Sequence, residues 1–123
     1  MNFSEYQKEA GKTAMYPTVV YPDTTKPTLG VPFVYPALGL AGEAGELANK
    51  VKKILRGDCE KYTSEEWEHL RDDLVKELGD VLWYVAALAT DLGEDLEVIA
   101  ERNLTKLSLR KSQGKIKGTG DNR

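Results

Sequence analysis

All five prolines of the chain lie between Tyr16 and Pro36, and this clustering limits the fold more than any other feature. Proline removes a backbone donor and fixes φ, so we expect an extended arm or ordered loop over 16–36. Elsewhere, apolar residues at helical spacing predict helices over 3–14, 37–55, 64–91 and 95–111. Ser4 is the predicted cap of the first helix, and Gly57 is predicted to end the second. No strand pattern is convincing. We therefore predict one all-α domain over 1–123, with a flexible glycine-rich tail over 112–123.

Composition and charge exclude several classes of protein. A length of 123 residues suits one domain with one hydrophobic core. A net charge of −3 gives no general attraction to nucleic acid, and no nucleic-acid-binding motif is present. No apolar run reaches the roughly 18 residues of a membrane span, and the N-terminus lacks the features of a signal peptide. The single cysteine, Cys59, fits a reducing compartment. We expect a cytoplasmic protein without nucleic-acid or membrane partners.

The second predicted helix, GLAGEAGELANKVKK from Gly39 to Lys53, carries two acids at the edge of its apolar face. Glu43 and Glu46 lie beside the apolar row rather than opposite it. That row consists of Leu40, Leu47, Val51, Ile54 and Leu55. Glycines at 39, 42 and 45 each cost about 1 kcal/mol in a helix, which predicts a close backbone approach. The alternative is an amphipathic surface helix with a ladder of glutamates and lysines.

The third predicted helix combines a nearly continuous apolar segment with two acids. Residues 78–89 are apolar on almost all sides, which predicts burial on most sides and a subunit interface. Glu77 and Asp80 share one face at the start of this segment, and Tyr84 continues that face. These acids either form ion pairs with Lys50, Lys53 or Arg71, or cluster with Glu43 and Glu46 around a metal ion. A glycine before the second acid of each pair favours close helices. An all-oxygen cluster selects Mg²⁺ or Mn²⁺, and His69 is predicted to be an ordinary exposed residue.

The fourth predicted helix offers groups for a phosphate, and the proline-rich arm offers aromatic surfaces. Asn103, Lys106 and Arg110 line one helical face, which suggests a phosphate site beside the acids. The alternative is a solvated basic face near a helix C-terminus. Stacking surfaces are offered by Tyr16, Tyr21, Phe33 and Tyr35, and further charge by Lys115, Lys117 and Arg123. The alternative for these segments is an arm packed on a neighbouring subunit and a disordered tail.

Three blocks in order carry a resemblance over roughly residues 37–110. They are G-E43-A-G-E46-L, E77-L-G-D80-V-L-W-Y and N103-L-T-K106-L-S-L-R110. Together they resemble the MazG-like family of all-α nucleoside triphosphate pyrophosphohydrolases, and the terminal GTGDNR is similar to tails of its short members. The family's first block often reads Glu-Glu-x-x-Glu. Gly42 stands here in place of an outer acid, which leaves open how many metal ions bind.

The resemblance implies Mg²⁺-dependent hydrolysis of a nucleoside or deoxynucleoside triphosphate to the monophosphate and pyrophosphate. It implies a homodimer or homotetramer built around a four-helix core. The residues that match the family as catalytic metal ligands are Glu43, Glu46, Glu77 and Asp80. The candidate substrate-binding residues are Lys53, Tyr84, Asn103, Lys106 and Arg110. Other hypotheses are a dUTP or phosphoribosyl-ATP pyrophosphohydrolase, a nucleotide-binding regulator, and a non-enzymatic helical interaction protein.

Overall fold

The computed structural model describes residues 1–16 and 33–121, and its regular structure consists of four helices. They are α1 (Phe3–Gly11), α2 (Val34–Leu55), α3 (Ser64–Asp91) and α4 (Leu96–Ser112). No strand occurs in these described ranges, so the all-α prediction is confirmed. None of the four helices contains an apolar stretch long enough to cross a bilayer. Most of the predicted proline-rich arm, residues 17–32, lies outside the described residues.

Two of the predicted helix ends are wrong for reasons of backbone hydrogen bonding. Helix α2 begins at Val34, three residues before the predicted start, and runs through Pro36. A proline is tolerated in the first turn because backbone N–H groups there have no partner within the helix. Helix α1 ends at Gly11 and is capped by Asn2, which forms a reciprocal capping box with Glu5. Ser4, the predicted cap, instead donates its hydroxyl hydrogen bond to Asp95.

Helix α1 is fixed across the turn that joins α3 to α4. The side-chain amide of Gln7 donates hydrogen bonds to Thr90 Oγ1 at 3.0 Å and to the Glu94 carbonyl at 2.9 Å. The Gln7 side-chain oxygen accepts the Leu96 N–H at 2.8 Å. Helix α1 therefore packs on both α3 and α4, whereas α2 packs on α3 and has no contact with α4.

Helices α2 and α3 run in opposite directions, and glycine at position 39 lets them meet closely. A Cβ built on Gly39 would overlap the ring of Tyr84. Nothing lies within 4 Å of the corresponding positions at Gly42, Gly45 or Gly79. The expected close approach therefore occurs at Gly39, and the prediction is wrong for the other three glycines in the described chain.

The core within one chain is small. Among the described residues, the buried apolar ones are Pro36, Cys59, Ala86, Ala87, Ala89 and Leu96. Within one chain, the burial predicted for 78–89 increases along the segment: Leu78 is 52% exposed, residues 81–85 are half-buried, and three of the last four residues are buried. Helix α3 has 28 residues and so a length of about 42 Å. Neither α1 nor α2 covers all of its sides.

Replacing Gly39 by alanine tests whether the contact with Tyr84 holds α2 and α3 together. We expect Gly39→Ala to lower the free energy of unfolding by about 1–3 kcal/mol, because the new methyl group displaces the ring. Gly42→Ala in the same helix is the matched control. It meets open space and should raise the free energy by about 0.5–1 kcal/mol through helix propensity. Urea unfolding of both variants measures the difference. Equal changes in the free energy of unfolding for the two variants would show that the contact with Tyr84 does not hold α2 and α3 together.

Candidate metal and nucleotide site

Three carboxylates from α2 and α3 converge in a cleft between these helices. One oxygen from each of Glu43, Glu77 and Asp80 lies within 4.8 Å of the other two. Residues three apart share a helical face, so Glu77 and Asp80 both project toward α2. The two helices run in opposite directions and meet at Gly39 and Tyr84. One turn inward from that contact lie Glu43 on α2 and Asp80 on α3.

The three acids of this cluster differ in whether a cation neutralises their charge. Glu77 forms an ion pair with Lys50 at 2.7 Å, and this hydrogen bond raises the pKa of Lys50. Neither Glu43 nor Asp80 forms an ion pair with any described residue. The pKa of Glu43 is raised, first by loss of surrounding solvent and then by the negative charge of the neighbouring acids. Like charges held together without a cation favour the protonated form.

Part of the alternative ion-pair network is therefore present. Lys50 pairs with one of the acids, whereas Lys53 and Arg71 form no ion pair with them in the described chain. The predicted substrate residue Lys53 is exposed on α2. The hydrogen bond from Arg56 lowers the pKa of Asp58, and the charge of Lys53 adds to this effect. His69 is exposed, as predicted.

Glu46 is the one predicted ligand that the structure leaves outside the converging group. It is exposed on α2, and its carboxylate is not one of the three that meet. It is nevertheless close enough for its charge to raise the pKa of Glu43. Glu46 is therefore at the edge of the cluster, one helical turn from Glu43.

A cavity of about 360 Å³ opens beside the acids. It is lined by Glu43, Asp80 and Tyr84, and also by Thr13 and Trp83. The indole N–H of Trp83 donates a hydrogen bond to Thr13 Oγ1 at 2.8 Å. Sequence reasoning missed Thr13, because nothing local links it to a residue 70 positions away. Trp83 lies in the block that ends in Trp-Tyr, but the apolar residues around it predict a buried segment and not a site residue.

Aromatic rings form a continuous group behind this cavity. Tyr16 and Tyr35 stack with ring centroids 4.8 Å apart. Tyr16 also meets Trp83 edge-on at 6.3 Å, and Trp83 meets Tyr84 edge-on at 4.9 Å. Of the four predicted stacking residues, Tyr21 lies outside the described residues. Phe33 is the N-cap residue of α2 and has a left-handed backbone conformation, with φ of 65°.

The basic residues of α4 are not brought to the acids within one chain. Arg110 is buried and donates to Asp121 Oδ1 at 2.8 Å, and Lys106 donates to the same oxygen at 3.1 Å. These contacts lower the pKa of Asp121 and hold the described part of the tail against α4. Asn103 is exposed on the same helix, which does not touch α2. Arg123 lies outside the described residues.

Neutralising Asp80 tests whether the acids form a metal site. Asp80 has no cation partner in the described chain, so Asp80→Asn should leave stability in EDTA unchanged or raise it by up to about 1 kcal/mol. The same change should remove most of the stabilisation that Mg²⁺ gives, because a ligand stabilises in proportion to its binding.

Glu77→Gln is the matched comparison, because it breaks the ion pair with Lys50. This variant should unfold at a lower temperature than wild type in EDTA. Thermal melting with EDTA and with Mg²⁺ measures both effects. An Asp80→Asn variant that melts lower in EDTA and keeps its magnesium response would identify a structural network instead.

The comparisons with known proteins agree with this geometry. The model of the MazG nucleotide pyrophosphohydrolase domain matches residues 36–114, a range that contains all the converging acids. The "Gene 37 protein" of Mycobacterium phage L5 is 49% identical over 123 residues, covering 100% of both chains. No solved structure matches. Because this domain model matches more than half of the chain, the chain belongs to the MazG family of nucleotide pyrophosphohydrolases.

Proposed function

We propose that this protein hydrolyses a nucleoside or deoxynucleoside triphosphate to the monophosphate and pyrophosphate in a Mg²⁺-dependent reaction. The observation that carries the proposal is the convergence of Glu43, Glu77 and Asp80 within 4.8 Å of one another in a chain of the MazG family. A cavity of about 360 Å³ beside these acids falls in the ~300–1,000 Å³ range of small-molecule sites.

The donor set fits a hard divalent cation. Carboxylate oxygens are the ligands that Mg²⁺ prefers, with Mn²⁺ as an alternative. The pKa of Glu43 is raised by desolvation first and then by the negative charges of the neighbouring acids, and a bound cation would offset those charges. Glu43, Glu77 and Asp80 would hold the ion. When bound, Mg²⁺ neutralises charge on the triphosphate and activates water.

Glu46 is suited to a different role from the other acids. It lies outside the converging group but within electrostatic reach of Glu43. We assign it to orient the attacking water and accept its proton, as the water oxygen bonds to the α-phosphorus and pyrophosphate leaves with the bridging oxygen. Tyr84 lines the same cavity and is proposed to contact the substrate, and Lys53 remains a candidate for binding phosphate.

An oligomer would complete this arrangement. Large apolar side chains stay exposed in the single chain, with Leu55 at 86% and Leu38 and Leu104 each at 68%. Exposed apolar surface of this extent is typical of subunit interfaces. We propose a homodimer or homotetramer in which α4 of a second copy brings its basic face near the acids. The residues of that face are Asn103, Lys106 and Arg110. We also propose a cytoplasmic location, where the buried thiol of Cys59 stays reduced.

The products of hydrolysis test the reaction. Each NTP and dNTP is incubated with the protein and Mg²⁺, and the products are resolved by chromatography. We expect pyrophosphate and a monophosphate in equal amounts. Glu46→Gln should lower turnover by about 100-fold or more while keeping the stabilisation by Mg²⁺, because it removes the proton acceptor and leaves the converging acids intact. Stoichiometric orthophosphate with a diphosphate would refute the assignment.

The same panel separates the alternative functions. Turnover restricted to dUTP, or to phosphoribosyl-ATP assayed beside the panel, would identify one of those more specialised enzymes. The Lys50–Glu77 ion pair favours the alternative of a structural acidic network. That network predicts no Mg²⁺-dependent turnover with any nucleotide. Binding without turnover would indicate a regulator.

The proposed assembly is tested by placing a charge on α4. Light scattering of the wild-type protein at micromolar concentration should give a multiple of 13.7 kDa. Leu104→Glu should shift the mass toward one chain, because burying an unpaired carboxylate at an interface is costly. Circular dichroism should show little change in helix content, since Leu104 is 68% exposed within its own chain. A wild-type mass of 13.7 kDa would contradict the proposal.

A further inference from the structure

A second cavity, of about 230 Å³, lies between α1 and α3. Trp83 lines this cavity and also the cavity beside the acids, so the two adjoin at this residue. Much of the second cavity is apolar, with Ala10, Ala14 and Ala87 among its lining residues. Tyr16 lines it as well. An apolar space lined by two aromatic side chains suits a planar ring.

The volume of this cavity suits part of a ligand. It is smaller than the ~300–1,000 Å³ of pockets that hold whole ligands. The adjoining cleft beside the acids is larger and carries the negative charge that a metal–triphosphate complex would meet. A nucleotide with its phosphates in the cleft therefore has a second compartment available for its base across Trp83. Helix α1 supplies part of this compartment, and α1 lies outside the residues 36–114 that match the family domain.

Among the described residues, Asp91 is the one carboxylate that lines the second cavity, and its hydrogen bonds differ from those of the neighbouring polar side chains. Both amide hydrogens and the side-chain oxygen of Gln7 are engaged by Thr90, Glu94 and Leu96. The Thr90 hydroxyl also donates to the Ala86 carbonyl.

Asp91 differs from these two residues. Its Oδ1 accepts a hydrogen bond from the Tyr16 hydroxyl at 3.1 Å. Its Oδ2 has no hydrogen-bond partner among the described residues. The cavity thus offers a ligand one unpaired carboxylate oxygen beside an aromatic wall.

We propose that this cavity binds the nucleobase, and that Asp91 selects bases with an exocyclic amino group over uracil and thymine. The inference rests on the proposed function and names the substrate class of that site. An amino group of cytosine, adenine or guanine donates directly to the free carboxylate oxygen. Uracil and thymine present a ring N–H between two carbonyl oxygens, and the carboxylate repels both oxygens. A hydrogen bond to a charged group discriminates by at least about tenfold.

Two pairs of nucleotides test this contact, because the members of each pair differ only in the amino group, which becomes a carbonyl, and in the hydrogen that the adjacent ring nitrogen gains. They are dCTP with dUTP, and dATP with dITP. The wild-type protein should show a kcat/KM at least about tenfold higher for the amino-bearing member of a pair. Asp91→Asn should reduce this ratio at least severalfold, because its amide can donate to a carbonyl oxygen. Both nucleotides are assayed on one preparation, so any loss of folded protein cancels in the ratio.

Asp72→Asn is the matched control. Asp72 is exposed on the same helix and lines neither cavity, so the ratio should stay at the wild-type value. A wild-type ratio near one in both pairs would overturn the inference even if hydrolysis is rapid. An Asp91→Asn ratio equal to the wild-type ratio would also overturn it.

Binding without turnover separates this inference from the proposed function. Titration calorimetry in EDTA compares dCMP with dUMP on the wild-type protein, where no hydrolysis is possible. We expect dCMP to bind at least about tenfold more tightly, and Asp91→Asn to bring the two dissociation constants together. Equal or undetectable binding of both would refute base selection. Tighter binding of dCMP in a protein that hydrolyses no triphosphate would refute the enzyme and retain the base cavity.

Discussion

The contact between the Tyr84 ring and Gly39 sets the register of α2 against α3, and the rest of the site follows from that register. The helices run in opposite directions, so a step of one turn along α2 pairs with a step of one turn back along α3. From Gly39 that step reaches Glu43, and from Tyr84 it reaches Asp80. A side chain at position 39 would displace the Tyr84 ring, which lines the cavity beside the acids. The glycine is thus required by the site as much as by the packing.

This register creates a local electrostatic cost that the protein offsets only in part. Lys50 neutralises Glu77, but no described cation lies against Glu43, whose pKa is raised. A purely structural network would be expected to pair every buried or half-buried acid. Uncompensated charge retained in a cleft instead indicates a function, since such sites trade stability for binding. The ion-pair interpretation of the sequence is therefore met at Glu77 alone, and the metal interpretation stays a proposal that the unpaired acids Glu43 and Asp80 support.

Spacing along a helix is readable from sequence, whereas register between helices is not. Glu77 and Asp80 were predictable as a pair because residues three positions apart on one helix share a face. The exposure of Glu46 depends on how far α2 rotates against α3, which the single helix does not reveal. The start of α2 was missed because Pro36 is a helix breaker only beyond the first turn. Thr13, which follows α1, was missed because its partner Trp83 lies 70 positions away.

Trp83 lines both cavities, and residues from separate parts of the chain fix its position. Its N–H is held by Thr13, and Tyr84 and Tyr16 meet its ring. In the proposed arrangement, one side of the indole adjoins the phosphates and the other adjoins the base. Residues 36–114, which match the family model, supply the acids, whereas α1 lines the second cavity. Under the proposed base binding, a change in the lining residues of α1 alters base selection and leaves the acidic cluster unchanged.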